Sequence, residues 1–155
     1  MKQKNWNGKT VLIIDDSEEE ASAISKILKE VGFYCIYASD GQKGIDIAHQ
    51  NHPDVILMDW NMPGINGHEV LEELKTAKDT RMIPIIIITG SSLSNGELCF
   101  ALCDKADDYL RKPIDRFELI GRIAANMRLY RVINIVQERS ERLAQLSYTL
   151  QEAKK

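Results

Sequence analysis

The sequence is poor in cysteine and has no arrangement of it that would build a scaffold. Cys35, Cys99 and Cys103 are odd in number and lack a Cys-x-x-Cys spacing, which argues against a disulfide framework and a zinc site. They are expected to be reduced and buried. Cys99 and Cys103 share a helical face four residues apart, but with no third ligand nearby they are read as core packing. No stretch approaches the roughly eighteen apolar residues of a membrane span, and the opening MKQKNWNGKT lacks the apolar core of a secretory signal. A cytoplasmic protein is expected. His49, His52 and His68 form no cluster and are read as surface residues.

Positive charge is scarce in the body of the chain, where residues 1–110 carry ten Lys/Arg against eighteen Asp/Glu. Residues 111–155 reverse the balance, with ten against five. The basic tail has no zinc-finger or helix-turn-helix pattern, and its Arg residues are interleaved with Glu138, Glu141 and Glu152, which argues against nucleic-acid binding. At 155 residues and 44% hydrophobic, the chain suits one well-packed core plus an appendage.

Five apolar, β-branched runs are present: TVLIID (10–15), FYCIYA (33–38), DVILMD (54–59), IPIIIIT (83–89) and the shorter DYLRK (108–112). Helical patterns lie between them. Ser17 can cap a helix with Glu18, Glu19 and Glu20 in its first turn, and Ile24, Ile27, Leu28 and Val31 form its apolar stripe up to Gly32. Residues 42–51, 68–77 and 95–105 read as three more helices, and another begins near Asp115. The third and fourth runs are apolar at nearly every position, the mark of strands covered on both faces. The alternation therefore predicts an α/β doubly wound domain with a parallel sheet. In such sheets ligands sit beyond the carboxyl ends of the strands, where strand order reverses.

The polar residues at those ends are Asp15 and Asp16 after the first run, Asp59 at the third, Thr89 at the fourth and Lys112 after the fifth. Each alone has an ordinary explanation as a cap, a strand residue or an edge charge. Together they place three carboxylates, a hydroxyl and an ammonium on one sheet edge. Carboxylates held that close must take up protons or share a cation, and few protein ligands with room for water and a phosphate oxygen favour Mg²⁺. The ammonium and hydroxyl then suit the oxygens of a phosphoryl group.

The segments VLIIDDS, VILMDWNMPGINGHE, IIIITGSS and DDYLRKPI resemble the receiver domain of two-component response regulators, and DWNMP is the form seen in the stand-alone chemotaxis regulator. The resemblance covers residues 8–127. It implies a flavodoxin-like five-stranded parallel sheet of order 2-1-3-4-5, with Asp59 as phosphoacceptor through an acyl phosphate. It further implies Mg²⁺ held by Asp16 directly, by Asp15 through water, by Asp59 and by the Asn61 backbone carbonyl. Thr89 and Lys112 would contact the phosphoryl oxygens, and Tyr109 would report the switch as Thr89 moves. Lys112-Pro113 matches the family's cis peptide, and Gly64 and Gly67 fit the turn into the third helix. The implied partner is a sensor histidine kinase or phosphotransfer protein. The chain would be a switch and not a turnover enzyme, since a dehalogenase-type aspartyl phosphatase needs an Asp where Asn61 stands. One departure is Asp104-Lys105, where the family usually has a small pair that ends the fourth helix. In the family, the positions that Asn61 and Ser91 occupy influence acyl-phosphate hydrolysis, and Trp60 reads equally as a shield of the site or as core-edge packing.

The second reading is a receiver-like interaction or dimerisation module that has lost the chemistry; its mark would be a missing Asp59, Lys112 or acidic partner, and none is missing. After Lys112 a receiver needs one more helix of a dozen or so residues, yet the pattern runs on from Asp115 without Pro. Leu129, Val132, Val136, Arg139, Leu143, Leu146 and Leu150 recur at three-four spacing, a coiled-coil seam of three heptads interrupted by one Arg. Residues 128–155 are thus expected to be a helical extension that pairs the chain as a homodimer. The alternative is a helix folded back on its own domain. The extension resembles linkers to histidine kinase or diguanylate cyclase modules, and a fragment of a larger regulator is expected.

Overall fold

The computed structural model describes residues 6–90, 94, 96, 99 and 105–154. Five strands, β1 (Thr10–Ile14), β2 (Tyr34–Ala38), β3 (Val55–Asp59), β4 (Ile85–Thr89) and β5 (Asp108–Arg111), form one all-parallel sheet of order β2-β1-β3-β4-β5. The described helices are α1 (Glu18–Glu30), α2 (Gly41–Asn51), α3 (Gly67–Thr76) and α4 (Arg116–Ala153). This is the flavodoxin-like fold expected. Most of the helical pattern expected over 95–105, including Cys103 and Asp104, lies outside the described residues, as does Ser91 before it.

The unbroken apolar runs have a direct cause in the layering. Leu12, Ile14, Ile56, Met58, Ile85 and Ile87 face α2 and α3 in one buried cluster. Their neighbours Val11, Ile13, Val55, Leu57, Ile86 and Ile88 face α1 and the first turns of α4 in the other. Period-two alternation still operates along each strand, but both phases are buried, so it leaves no polar trace. The helices start where short polar side chains accept backbone N–H groups: Ser17 from Glu20, Asp40 from Lys43, Asn66 from Glu69 and Asp115 from Glu118. Helix α2 ends on His52 in the left-handed conformation, with φ of 44°.

At the edge where β4 and β5 begin, a polar network ties α4 to the body. Lys75 Nζ contacts Asp107 Oδ2 at 2.6 Å, the Ile83 carbonyl at 2.7 Å and the Tyr130 hydroxyl at 3.0 Å, while Tyr130 donates to Asp107 Oδ1. Asp107 Oδ2 also accepts the Ile85 N–H at 2.8 Å. Burial pushes the Lys75 ammonium down against the pull of Asp107. The domain holds α4 through Leu119, Ile123, Asn126 and Met127, and Tyr130 is the last of these anchors. Beyond it Val136, Leu143, Leu146 and Leu150 are each more than half exposed. The alternative of a tail folded back on its own domain is therefore corrected. No helix among the described residues is long and apolar enough to cross a membrane.

Gly44 lets α2 approach β1. A Cβ there would lie 2.4 Å from Ile14 Cδ1 and 2.8 Å from its Cγ1, inside a fully buried layer. Gly44→Ala is expected to destabilise the fold by about 1–3 kcal/mol, the usual cost of overpacking, although alanine is the better helix former. Urea unfolding measures this, and an unchanged midpoint would mean that α2 can move off the sheet.

Candidate functional site

Parallel pairing brings the carboxyl ends of the strands to one edge, and register decides which residues meet. Ile14 pairs with Met58, so the next residues, Asp15 and Asp59, stand side by side. Asp59 pairs with Ile88, Thr89 pairs with Arg111, and the Lys112 N–H donates to the Thr89 carbonyl at 2.8 Å. Residues separated by almost a hundred positions in sequence thereby share one small volume. The Lys112-Pro113 peptide is cis.

Asp15 is 1% exposed. Its Oδ1 accepts the Ser17 N–H at 2.8 Å, whereas Oδ2 is buried without a hydrogen-bond partner. Asp59 is also buried, and its Oδ1 accepts the Asn61 N–H at 3.4 Å. Buried Thr89 donates its hydroxyl to the Gly90 carbonyl at 3.1 Å. Lys112 Nζ lies 3.7 Å from Asp59 Oδ2 and makes a closer ion pair with Glu20. Oxygens of Asp15, Glu20 and Asp59 all lie within 4.8 Å of one another.

Burial pushes the Asp15 carboxyl up to about 6; the Ser17 amide opposes this, the charge of Asp59 adds to it, and Lys112 opposes it. Asp59 is raised as well, by burial first, against Lys112 and the Asn61 amide. Burial works against the charge on Lys112, but its bond to Glu20 and the charges of Asp59, Glu20 and Asp15 outweigh it, and its pKa rises. Anionic oxygens are crowded around one ammonium in a site that disfavours their charge.

Asp16 is exposed and stands outside the three-carboxylate group, although its charge still raises Asp59. Tyr109 is half-buried against the α2–α3 side of the core, with the Arg122 guanidinium 5.7 Å from its ring centroid. Trp60 packs at the core edge, pressed on Gly67 so closely that a Cβ there would meet its ring at 2.6 Å. Gly64 takes φ of 87° in the turn between them. The expectation of buried cysteines is corrected for Cys99, which is exposed, and for Cys35, which is half-buried with its thiol pushed up by burial. Lys105, from the atypical pair, binds Glu72 at 2.8 Å.

Glu20 is the member that sequence reasoning passed over. Ser17 and Glu20 have the spacing of a capping box, in which the Glu would reach back to the Ser17 N–H. Asp15 has taken that N–H, so Glu20 is free to turn to Lys112. The available signal was a capping-box glutamate directly after an Asp-Asp strand end.

A five-stranded sheet of this order with an acidic edge and one lysine defines a receiver domain. The family model for the response regulator receiver domain matches residues 11–124, and the chain belongs to that family, the receivers of two-component signalling. It is 36% identical over 115 residues to the protein PilH of Pseudomonas aeruginosa, covering 74% of this chain and 94% of that one. It is also 36% identical over 121 residues to the phosphate regulon transcriptional regulatory protein PhoB of Pseudomonas aeruginosa. That match covers 78% of this chain and spans only about half, 52%, of PhoB. A receiver domain from Clostridium thermocellum superposes with a TM-score of 0.74 at 28% identity, over 81% of this chain and 98% of that chain. Receiver domains bind Mg²⁺ in an acidic pocket, and the donor set here fits one: hard carboxylate oxygens converge, and one buried oxygen of Asp15 has no partner.

That oxygen makes Asp15 a net liability to the metal-free fold. With its folded pKa raised above the ordinary 3.8, the protonated form is favoured, so the penalty is absent below about pH 4, grows as pH rises to about 6, and is full above. Asp15→Asn is expected to raise stability in EDTA at pH 7 by about 1–3 kcal/mol, an advantage that fades as pH falls through 6 toward 4. Urea midpoints at pH 7 and 4 test this; equal or lower stability of the variant at pH 7 would show the charge to be well solvated.

Proposed function

We propose that the chain is a phosphorylation-dependent signalling switch that accepts a phosphoryl group on Asp59. The observation that carries this reading is the meeting of Asp15, Asp59, Thr89 and Lys112 at one strand edge, with an unpartnered carboxylate oxygen inside it. The donor is a histidine kinase or phosphotransfer protein. An oxygen of Asp59 forms a bond to phosphorus while the phosphorus–nitrogen bond of the donor histidine breaks, and the imidazole leaves with that electron pair. Lys112 and Thr89 hold the phosphoryl oxygens. Asp15, Asp16, Asp59 and the Asn61 backbone carbonyl would hold Mg²⁺, which would supply neutralising charge there. The Thr89 hydroxyl, now spent on Gly90, is released toward the phosphoryl group, and Tyr109 follows it. Nothing in this cycle requires a turnover enzyme, and the proposed setting is the cytoplasm.

The second part of the proposal concerns residues 128–155, read as an extension of a receiver spanning 8–127, which carries the state to a partner or output module. The seam from Leu129 to Leu150 supports a homodimer. Its residues apart from Arg139 are apolar and more than half exposed. Three heptads with an Arg in the seam are near the lower limit for a stable coiled coil, so the pairing is weak and can be biased.

Incubation with Mg²⁺ and a small-molecule phosphodonor is expected to add one phosphoryl group by intact mass, and Asp59→Asn or EDTA to prevent it. An equal addition to the Asp59→Asn protein would move the acceptor elsewhere.

In sedimentation velocity the chain is expected to form a concentration-dependent dimer that is lost on ending it at Arg128 or on replacing Leu143 and Leu146 by Asp. Equal association of truncated and complete chains would assign the dimer to the receiver body.

A further inference from the structure

We infer that Glu20 is the resting counter-ion of Lys112 and acts as a brake on phosphorylation, because the ammonium must leave it before it can serve the phosphoryl group. This rests on the reading of Asp59 as phosphoacceptor. Three observations carry it. Lys112 is bound to Glu20 more closely than to Asp59, whose Oδ2 is 3.7 Å away. Glu20 has no competing duty at the helix start, since the Ser17 N–H belongs to Asp15. It also stands at the mouth of the site, with its side chain about half exposed where that of Asp59 is almost covered, and within 4.8 Å of both Asp15 and Asp59.

An anionic donor reaching Asp59 therefore meets a carboxylate that both repels it and occupies the one ammonium in this carboxylate group. In the reaction with an acyl phosphate, an Asp59 oxygen bonds to phosphorus as the bond from phosphorus to the acyl oxygen breaks, and the donor's carboxylate leaves with the electron pair. Lys112 has to turn from Glu20 to the oxygens in transfer. The exchange leaves Glu20 unpaired beside a dianion, from which its half-exposed side chain can swing into water. Glu20 is accordingly a positioning residue, acting through Lys112, and its charge sets how fast the switch loads.

The test compares the wild-type chain with Glu20→Gln, which keeps the shape and the N3 capping capacity while removing the charge. Acetyl phosphate at saturating Mg²⁺ is the donor, intact mass is the readout, and Mg²⁺ binding without donor is measured by calorimetry. Glu20→Gln is expected to load about tenfold faster, the scale on which one like charge at a cleft mouth slows an anion. Added NaCl should accelerate the wild type and leave the variant nearly unchanged, since screening relieves only a repulsion that exists. An equal or slower rate with the same salt response overturns the inference. So does a tenfold loss of Mg²⁺ affinity with slower loading at limiting Mg²⁺, which would make Glu20 a cation ligand instead. A wild-type chain that gains no mass, or an Asp59→Asn chain that gains as much, removes the phosphoacceptor reading and this inference with it.

Discussion

The structure depends on a charge imbalance at one end of its sheet. Parallel pairing of β1 with β3 puts Asp15 beside Asp59, and both are buried by the layers that make the strands apolar on two faces. Two unit charges 4 Å apart at a surface-like dielectric interact by about 4 kcal/mol, so Lys112 offsets one carboxylate well and three poorly. Burial first, and neighbouring negative charge after it, raises the carboxyls of Asp15 and Asp59. An arrangement like this is costly for a fold and useful for a site that receives a cation and a phosphoryl group. Both additions would change the balance at atoms already fixed by the sheet.

The other end of the sheet shows what the same chemistry looks like when it is closed. Lys75, Asp107 and Tyr130 are half-buried, two of them charged, yet each polar atom named has a partner in a different element: α3, the residues leading into β5, α4, or the backbone before β4. Such a network contributes fixed geometry in place of reactivity. It clamps α4 close to where the helix leaves the body. On the same helix the Arg122 guanidinium lies 5.7 Å from the Tyr109 ring centroid and pairs with Asp108 at 2.9 Å.

How much of this was legible in the sequence follows the range of the interactions. Strand ends, caps and the long helix arise from neighbouring residues, and runs such as TVLIID and IIIIT, or the caps Ser17 and Asp115, announce them locally. Sheet order and the family's site positions were legible through the receiver motifs, whose spacing encodes the topology. Glu20 was not, because its partner is 92 residues away and its local pattern pointed to a capping box that Asp15 pre-empts. Tyr130 was equally hidden: it sits among the seam residues in sequence, and only the packing shows it turned toward Asp107. The cysteines failed for the opposite reason, since a general preference for burial does not say which face of its element a given residue takes.

The direction of Tyr130 decides what the extension can do. At about 100° per residue, Leu119, Ile123, Asn126 and Tyr130 fall on one side of α4, and the seam residues from Val132 to Leu150 lie more than about 100° round the axis. The helix can therefore pair with a second copy without releasing its own body. A helix whose anchoring and pairing faces coincided would have to choose between folding and dimerising, and its dimer would report local unfolding. With the faces separate, the body would set where the helix points and a paired seam, as proposed, would read that direction. If the seam pairs as proposed, three heptads with Arg139 inside them would be weak enough for a change of a few kcal/mol at the site to alter the pairing. A longer or purely leucine seam would hold regardless of the state of the site, and the lever would carry no signal.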